Sequence, residues 1–175
     1  MNYGEWVEID DMSISIRRLG EDDWMVYKAI RLEALQLESI CFGSQYSVEN
    51  TRTEEEWRSR LKSDSNWTYW GLYDRDECIG LTGVVKHQGD STVADLIASY
   101  IRKHYRGRGL SALFYQTRIE WARAEGYKHL EVSHRKGNIA SKAANQKFGF
   151  KYSYTENKMW ADGTYYDLIG YRLEL

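Results

Sequence analysis

The sequence predicts one mixed α/β domain on a sheet that is not wholly parallel, and three observations predict it. Strand-like alternation and helix-like spacing take turns along the 175 residues with no linker or low-complexity stretch between them. The middle strands are joined by tight turns, which only antiparallel neighbours allow. A chain of this length buries roughly two-thirds of the surface its unfolded form exposes, enough for a single core.

"SISIRRL" (13–19) sets Ile14, Ile16 and Arg18 against Ser15 and Arg17, the period of a strand. The acids of "EDDW" then open a helix in which Val26, Ile30, Ala34 and Leu37 share one face, running to about Glu38. "GSQYSVENT" is polar and reads as a break, after which "EEEWRSRLKS" restarts a short helix with acids first and bases last. "WTYWGLYD" and "CIGLTGVVKH", joined by the turn former "DRDE", read as a hairpin. "VADLIASYI" is more continuously apolar and therefore more central. Beyond "HYRGRG", Leu110, Leu113, Phe114 and Trp121 line a helix that stops at Gly126. "HLEVS" is a short strand, and Ala140, Ala144 and Phe148 line a helix from near Asn138 to Gly149. "KYSYTE" and a last strand alternating Ile169, Tyr171, Leu173 and Leu175 complete the order β-α-α-β-β-β-α-β-α-β-β.

Composition narrows the function. A net charge of −2 leaves no global basic field of the kind a dedicated nucleic-acid binder carries, so any anion site is local. Two cysteines, Cys41 and Cys78, are too few for a disulfide framework, and no charged-then-apolar leader opens the chain; a reduced, cytoplasmic protein is expected. The longest apolar runs fall short of the ~20 residues a spanning helix needs.

The stretch "HYRGRGLSALFY" (104–115) carries the chemistry. The first N–H groups of a helix lack internal partners and sit at its positive end, so a phosphate placed there collects several hydrogen bonds. Gly107 and Gly109 clear the approach, and five of the seven residues 102–108 can be cationic. Neither a nucleotide-hydrolase loop, which needs Lys-Ser or Lys-Thr after the glycines, nor a dinucleotide fingerprint fits. An RNA-binding arginine–glycine tract would be repetitive, whereas this turn feeds an amphipathic helix. A tight turn with solvated arginines is the plain alternative.

These residues resemble the GNAT superfamily of acetyl-CoA-dependent N-acyltransferases. The family's anion turn, Gln/Arg-x-x-Gly-x-Gly/Ala, is matched by Arg106-Gly107-Arg108-Gly109-Leu110-Ser111, with a small serine at the last position. "RLEALQLESICFGSQYSVENTRTEEEW" resembles the family's first two helices, and "NIASKAANQKFGF" its helix ending in Gly-Phe. The likeness covers roughly residues 13–175, with 1–12 as an N-terminal extension. It implies a single α+β domain: a mixed, mostly antiparallel sheet of about seven strands, splayed in the middle and flanked by about four helices.

The resemblance also implies how acetyl-CoA would lie. The pyrophosphate would rest on the amides of Gly107, Arg108, Gly109, Leu110 and Ser111, with Arg106 beside it. The pantetheine arm would pair with a free strand edge at Tyr100, Ile101 and Arg102, where the N–H of Ile101 would polarise the thioester carbonyl. Asn138 would cap its helix, contact the arm, or both. Asp95, six positions before Ile101, matches the family's base, and a charge inside an apolar strand is costly unless exposed, paired or employed. The family's tyrosine acid is replaced by Asn145, leaving Ser141 as the candidate donor to the departing thiolate. No metal is expected.

The expected reaction is acetyl transfer to a primary amine. A small cationic acceptor is favoured because Glu38, Glu49 and the acids 54–56, with Trp67, Tyr69, Trp70, Trp160 and Tyr165, fall where the family walls its acceptor cleft. The plain alternative is that these acids solvate helix starts. A protein N-terminus or lysine is the second acceptor class, and a CoA-sensing or RNA-binding module is the non-enzyme alternative. No nucleic-acid or membrane partner is expected, and both a homodimer through the aromatic tail strand and a monomer are compatible with the family.

Overall fold

The computed structural model describes residues 13–160 and 162–175, so the expected extension over 1–12 lies outside the described residues. Strands β1 (Ile14–Arg18), β2 (Trp67–Asp74), β3 (Glu77–Lys86), β4 (Val93–Ile101), β5 (His129–Arg135), β6 (Lys151–Met159) and β7 (Tyr165–Glu174) form one sheet in the order β1-β2-β3-β4-β5-β7-β6. Its neighbours are antiparallel except β4 and β5, which lie parallel and are joined through a helix, as parallel strands must be.

Among the described residues five α-helices flank the sheet: α1 (Trp24–Leu37), α2 (Tyr46–Glu49), α3 (Glu54–Ser59), α4 (Ser111–Ala124) and α5 (Ile139–Lys147). Successive strand residues point to opposite faces, and the core divides accordingly. Tyr69 packs with Tyr27, Ile30 and Trp57 of α1 and α3, whereas the adjacent Trp70 packs with Tyr115, Ile119 and Ala122 of α4.

Two expectations are corrected here. The polar stretch read as a break contains α2, whose Glu49 is buried between Arg31 and Arg52 at 2.8 and 2.7 Å; this ion-pair clamp onto α1 winds a turn that hydrophobic periodicity cannot reveal. On α1 the buried stripe is Tyr27, Ile30, Ala34 and Leu35, while Leu37 is exposed, because Tyr27 against Trp57 and Tyr69 sets the rotation of the helix.

The feature that positions the site is where β4 and β5 part. They pair only as Val93 with His129, Ala94 with Leu130 and Asp95 with Glu131, after which β4 continues to Ile101 and β5 to Arg135 without each other. The bend in β4 has a visible origin: Ala98 and Ser99 together oppose the single residue Thr82, and Ala98 adopts φ +56°. An extra residue on one strand kinks and twists it away from its neighbour. The non-glycine in the left-handed region costs about 1 kcal/mol, which the flanking β3 pairing sustains.

Candidate active site

The turn before α4 is built as an open cradle. Gly107 and Gly109 both have φ +77°, and a Cβ on either would meet nothing within 4 Å. Glycine is required there by backbone conformation rather than by crowding. Leu110 buries its side chain against Leu72, Ile79 and Phe114, which anchors the turn from below. The N–H groups of Gly107, Gly109, Leu110 and Ser111 enter none of the loop and cap backbone bonds among the described residues, and bonding resumes with Ala112 and Leu113 donating to Gly109 and Leu110. Arg108 lies in the same turn, its guanidinium 5.5 Å from the Tyr105 ring.

Further up β4 the expected residues divide. The Arg102 N–H donates to the Ile79 carbonyl at 2.9 Å; antiparallel alternation therefore turns the Tyr100 N–H toward β3 as well and the Ile101 N–H the other way, into the gap. The Tyr100 ring is buried and its hydroxyl donates to Glu33, while the Arg102 guanidinium is held by Glu33 at 2.8 and 2.9 Å and by Glu77. Tyr100 and Arg102 thus brace β4 against α1 and β3, and of the three only Ile101 presents its amide to the gap. Arg106 folds back, donating to the Ile101 carbonyl at 2.7 Å and to Glu38 at 2.8 Å.

Asp95 occupies the last rung before the strands part, at the apex of the gap. His87, just beyond β3, sets its Nδ1 2.9 and 3.0 Å from the two carboxylate oxygens. Burial pushes the Asp95 carboxyl above its ordinary value and the His87 bond draws it part of the way back, while the same bond raises the imidazole. Across the rung Glu131 accepts from Arg172 at 2.9 and 2.6 Å. Ligand atoms of His87, Asp95 and Glu131 lie within 4.8 Å of one another, a spacing a metal ion tolerates, yet His87 and Arg172 already engage both carboxylates as ion-pair partners. His87 escapes sequence reading because it follows the strand pattern; the hairpin register, pairing Lys86 with Ala94, is what brings it to Asp95.

On α5, Asn138 is the helix cap, its Oδ1 accepting from the Ser141 N–H at 3.1 Å, and Ser141 is half-buried in the first turn. A cavity of about 510 Å³ lies beside Asn138, lined also by His134, Lys142, Tyr152 and Tyr171. Asn145 is 1% exposed and accepts from the Tyr115 hydroxyl at 2.6 Å, tying α5 to α4. The expected acceptor-wall acids mostly take plain roles. Glu49 is locked in its ion pairs, and Glu56 closes a reciprocal cap with Thr53 at the start of α3. Tyr69 and Trp70 are core residues. Glu38 and the loop between β6 and β7, where Arg135 pairs with Asp162 at 2.7 Å and stacks 4.0 Å from the Tyr166 ring, do flank the open end.

The described residues contain no helix long and apolar enough to cross a membrane. No curated protein sequence matches the chain. Among solved structures, an acetyltransferase of the GNAT family from Streptococcus pneumoniae is similar at TM-score 0.80 and 22% identity, over 93% of this chain and 99% of that one. The YncA protein of Salmonella typhimurium, solved with its cofactor acetyl-CoA, is similar at 0.76 and 16%, over 93% and 94%. RimL, a ribosomal L7/L12 α-N-protein acetyltransferase in complex with coenzyme A, is similar at 0.75 and 14%, over 94% and 96%. At these identities the likeness shows the fold. The model of the acetyltransferase (GNAT) family matches residues 31–150, more than half of the chain and spanning the glycine turn, the gap and the capped α5, and the protein is accordingly a member of that family.

Proposed function

We infer that the protein moves an acetyl group from acetyl-CoA to the primary amine of a small cationic molecule, by direct attack within a ternary complex. The observation that carries this reading is the gap itself: a central strand parts from its neighbour and leaves the Ile101 amide aimed into the opening, beside a helix N-terminus with an open cradle of amides. The cradle suits a diphosphate and the opening suits an extended arm that pairs as a strand.

An alkylammonium near pKa 10 cannot attack until deprotonated. Asp95, at the apex and about 16 Å along β4 from the Ile101 amide, takes that proton through a chain of water in the gap, and His87 behind it keeps the carboxylate available. As nitrogen bonds to the carbonyl carbon, charge gathers on oxygen, where the Ile101 N–H donates. The second nitrogen proton ends on sulfur as the C–S bond breaks, with Ser141 in the first turn of α5 as the relay we assign. The exposed ring of Tyr165 supports a cationic acceptor through cation–π attraction, whereas Glu38 is engaged by Arg106 and Trp160 is buried beside Arg135 and Lys158. The likeness to RimL supports the second reading, a protein N-terminus.

A screen of small amines and of peptides with free N-termini, followed by release of free thiol from acetyl-CoA, tests both. Turnover with diamines or amino sugars supports the first reading, turnover with peptides alone the second, and binding of acetyl-CoA without turnover on any amine would leave a sensor instead. Replacing Asp95 with Asn is expected to lower kcat about a hundredfold while leaving acetyl-CoA affinity within about twofold.

A further inference from the structure

Arg118 is the anomaly of α4. It lies on the helix face that packs against the sheet, is 1% exposed, and is nevertheless a charged side chain. Its bonds go to the Phe114 carbonyl from Nε at 3.0 Å and to the Ser99 Oγ from Nη1 at 2.9 Å, and its guanidinium lies 4.9 Å from the Tyr115 ring. No carboxylate joins it in an ion pair among the described residues. Burial draws its pKa down to about 10, which leaves it cationic at neutral pH. A buried cation without a counter-charge is costly, and the fold retains it at a position where an apolar side chain would serve packing as well.

What Arg118 reaches gives the charge a use. Ser99 is the second residue of the β4 bulge and is exposed although it sits on the central strand, because β5 has diverged at that level. A serine hydroxyl has two lone pairs and one proton. Arg118 occupies one lone pair, and the fully buried Thr82 hydroxyl, 3.3 Å away, occupies the other when it is the donor. The serine proton is then left for the gap.

We propose that Arg118 is a positioning residue for acyl transfer, holding and polarising Ser99 so that the serine hydroxyl donates to the thioester carbonyl oxygen alongside the Ile101 N–H. The inference rests on the acyl-transfer reading. As the amine nitrogen bonds to carbon, the carbonyl electron pair moves onto oxygen, where the serine proton and the nearby cation stabilise it. The pair returns as the C–S bond breaks toward sulfur. Ser99 gives up no proton in the cycle.

The test is the infrared carbonyl band of bound acetyl-CoA, isolated by an isotope label at the carbonyl carbon. In the native protein the band is expected below its frequency in solution, and in Ser99→Ala and Arg118→Gln it moves back toward the solution value. kcat falls about tenfold with KM for acetyl-CoA within about twofold; the loss stays below the 10²–10³ of a primary oxyanion donor because the Ile101 amide remains. The double variant is no slower than the worse single one, since both changes break one unit. Ser99→Thr, which keeps the hydroxyl, restores the band. Ser99 is exposed, so its variants fold and decide the matter even where Arg118→Gln does not. A native-like band in Ser99→Ala overturns the proposal whatever happens to kcat, whereas failure of the native protein to bind acetyl-CoA overturns the acyl-transfer reading itself.

Discussion

Asp95 shows how one residue can be legible while its partner is not. A charge within "VADLIA" stands out in the sequence because an apolar strand has no cheap place for it, but the residue that manages the charge, His87, lies beyond the strand pattern. Arg118 was hidden for the opposite reason: helical spacing assigns its neighbours to the core and says nothing about a cation among them. The groups facing the Asp95–His87 pair are Glu131 and Arg172 from β5 and β7, Tyr154 from β6 and Asp90 from the preceding loop. Since His87 opposes the effect of burial on Asp95, changing His87 to Gln lets the carboxyl rise further, and the acid limb of kcat/KM is expected to move to higher pH. An unmoved limb would separate His87 from the base. The raised imidazole gives a second readout. Its contribution to stability is complete below about pH 6.5 and fades as pH climbs through its folded value, so the variant should lose up to about 1 kcal/mol at pH 5.5 and almost nothing at pH 9.

At the scale of elements, the glycine turn and the helix it opens were readable because turn chemistry is local. The hairpin of β2 and β3 and the boundaries of α5 were readable for the same reason. Single-turn α2 was not, since Arg31 and Arg52 hold it from outside its own segment. The role of the turn can be isolated with a matched pair. Gly109 (φ +77°) and Gly126 (φ +82°) stand at opposite ends of α4, both in the left-handed region with open space around a Cβ. Alanine at either costs about 1 kcal/mol of stability. Only Gly109→Ala is expected to weaken acetyl-CoA, by about tenfold in calorimetry, because it alone tilts the amides of the cradle. Equal affinities in the two variants would detach the turn from the cofactor.

Taken whole, the molecule is two strand groups, β1–β4 and β5–β7, that meet over three backbone pairs and share the core formed by Ala94, Leu96, Leu130, Tyr171 and Leu173. The place of β7 between β5 and β6 was beyond local reading, because nothing in the tail strands' own alternation says which neighbour each will choose. A ligand that bridges the two groups binds only the folded chain. Acetyl-CoA at a hundred times its Kd should therefore add about 2.7 kcal/mol, or roughly 5–10 °C in Tm for a domain of this size, and an unchanged Tm would mean that the gap is not its seat.

The parting of β4 from β5 has one more consequence. Amides in the middle of a seven-strand sheet ordinarily rank among the slowest in a protein to take up deuterium, but Ile101 fronts an opening and should label as quickly as a surface loop while Ala94, a few residues earlier, stays protected. Saturating thioester should bring the two into line, so that a heartland strand trades the exchange behaviour of a border for that of an interior each time its guest arrives.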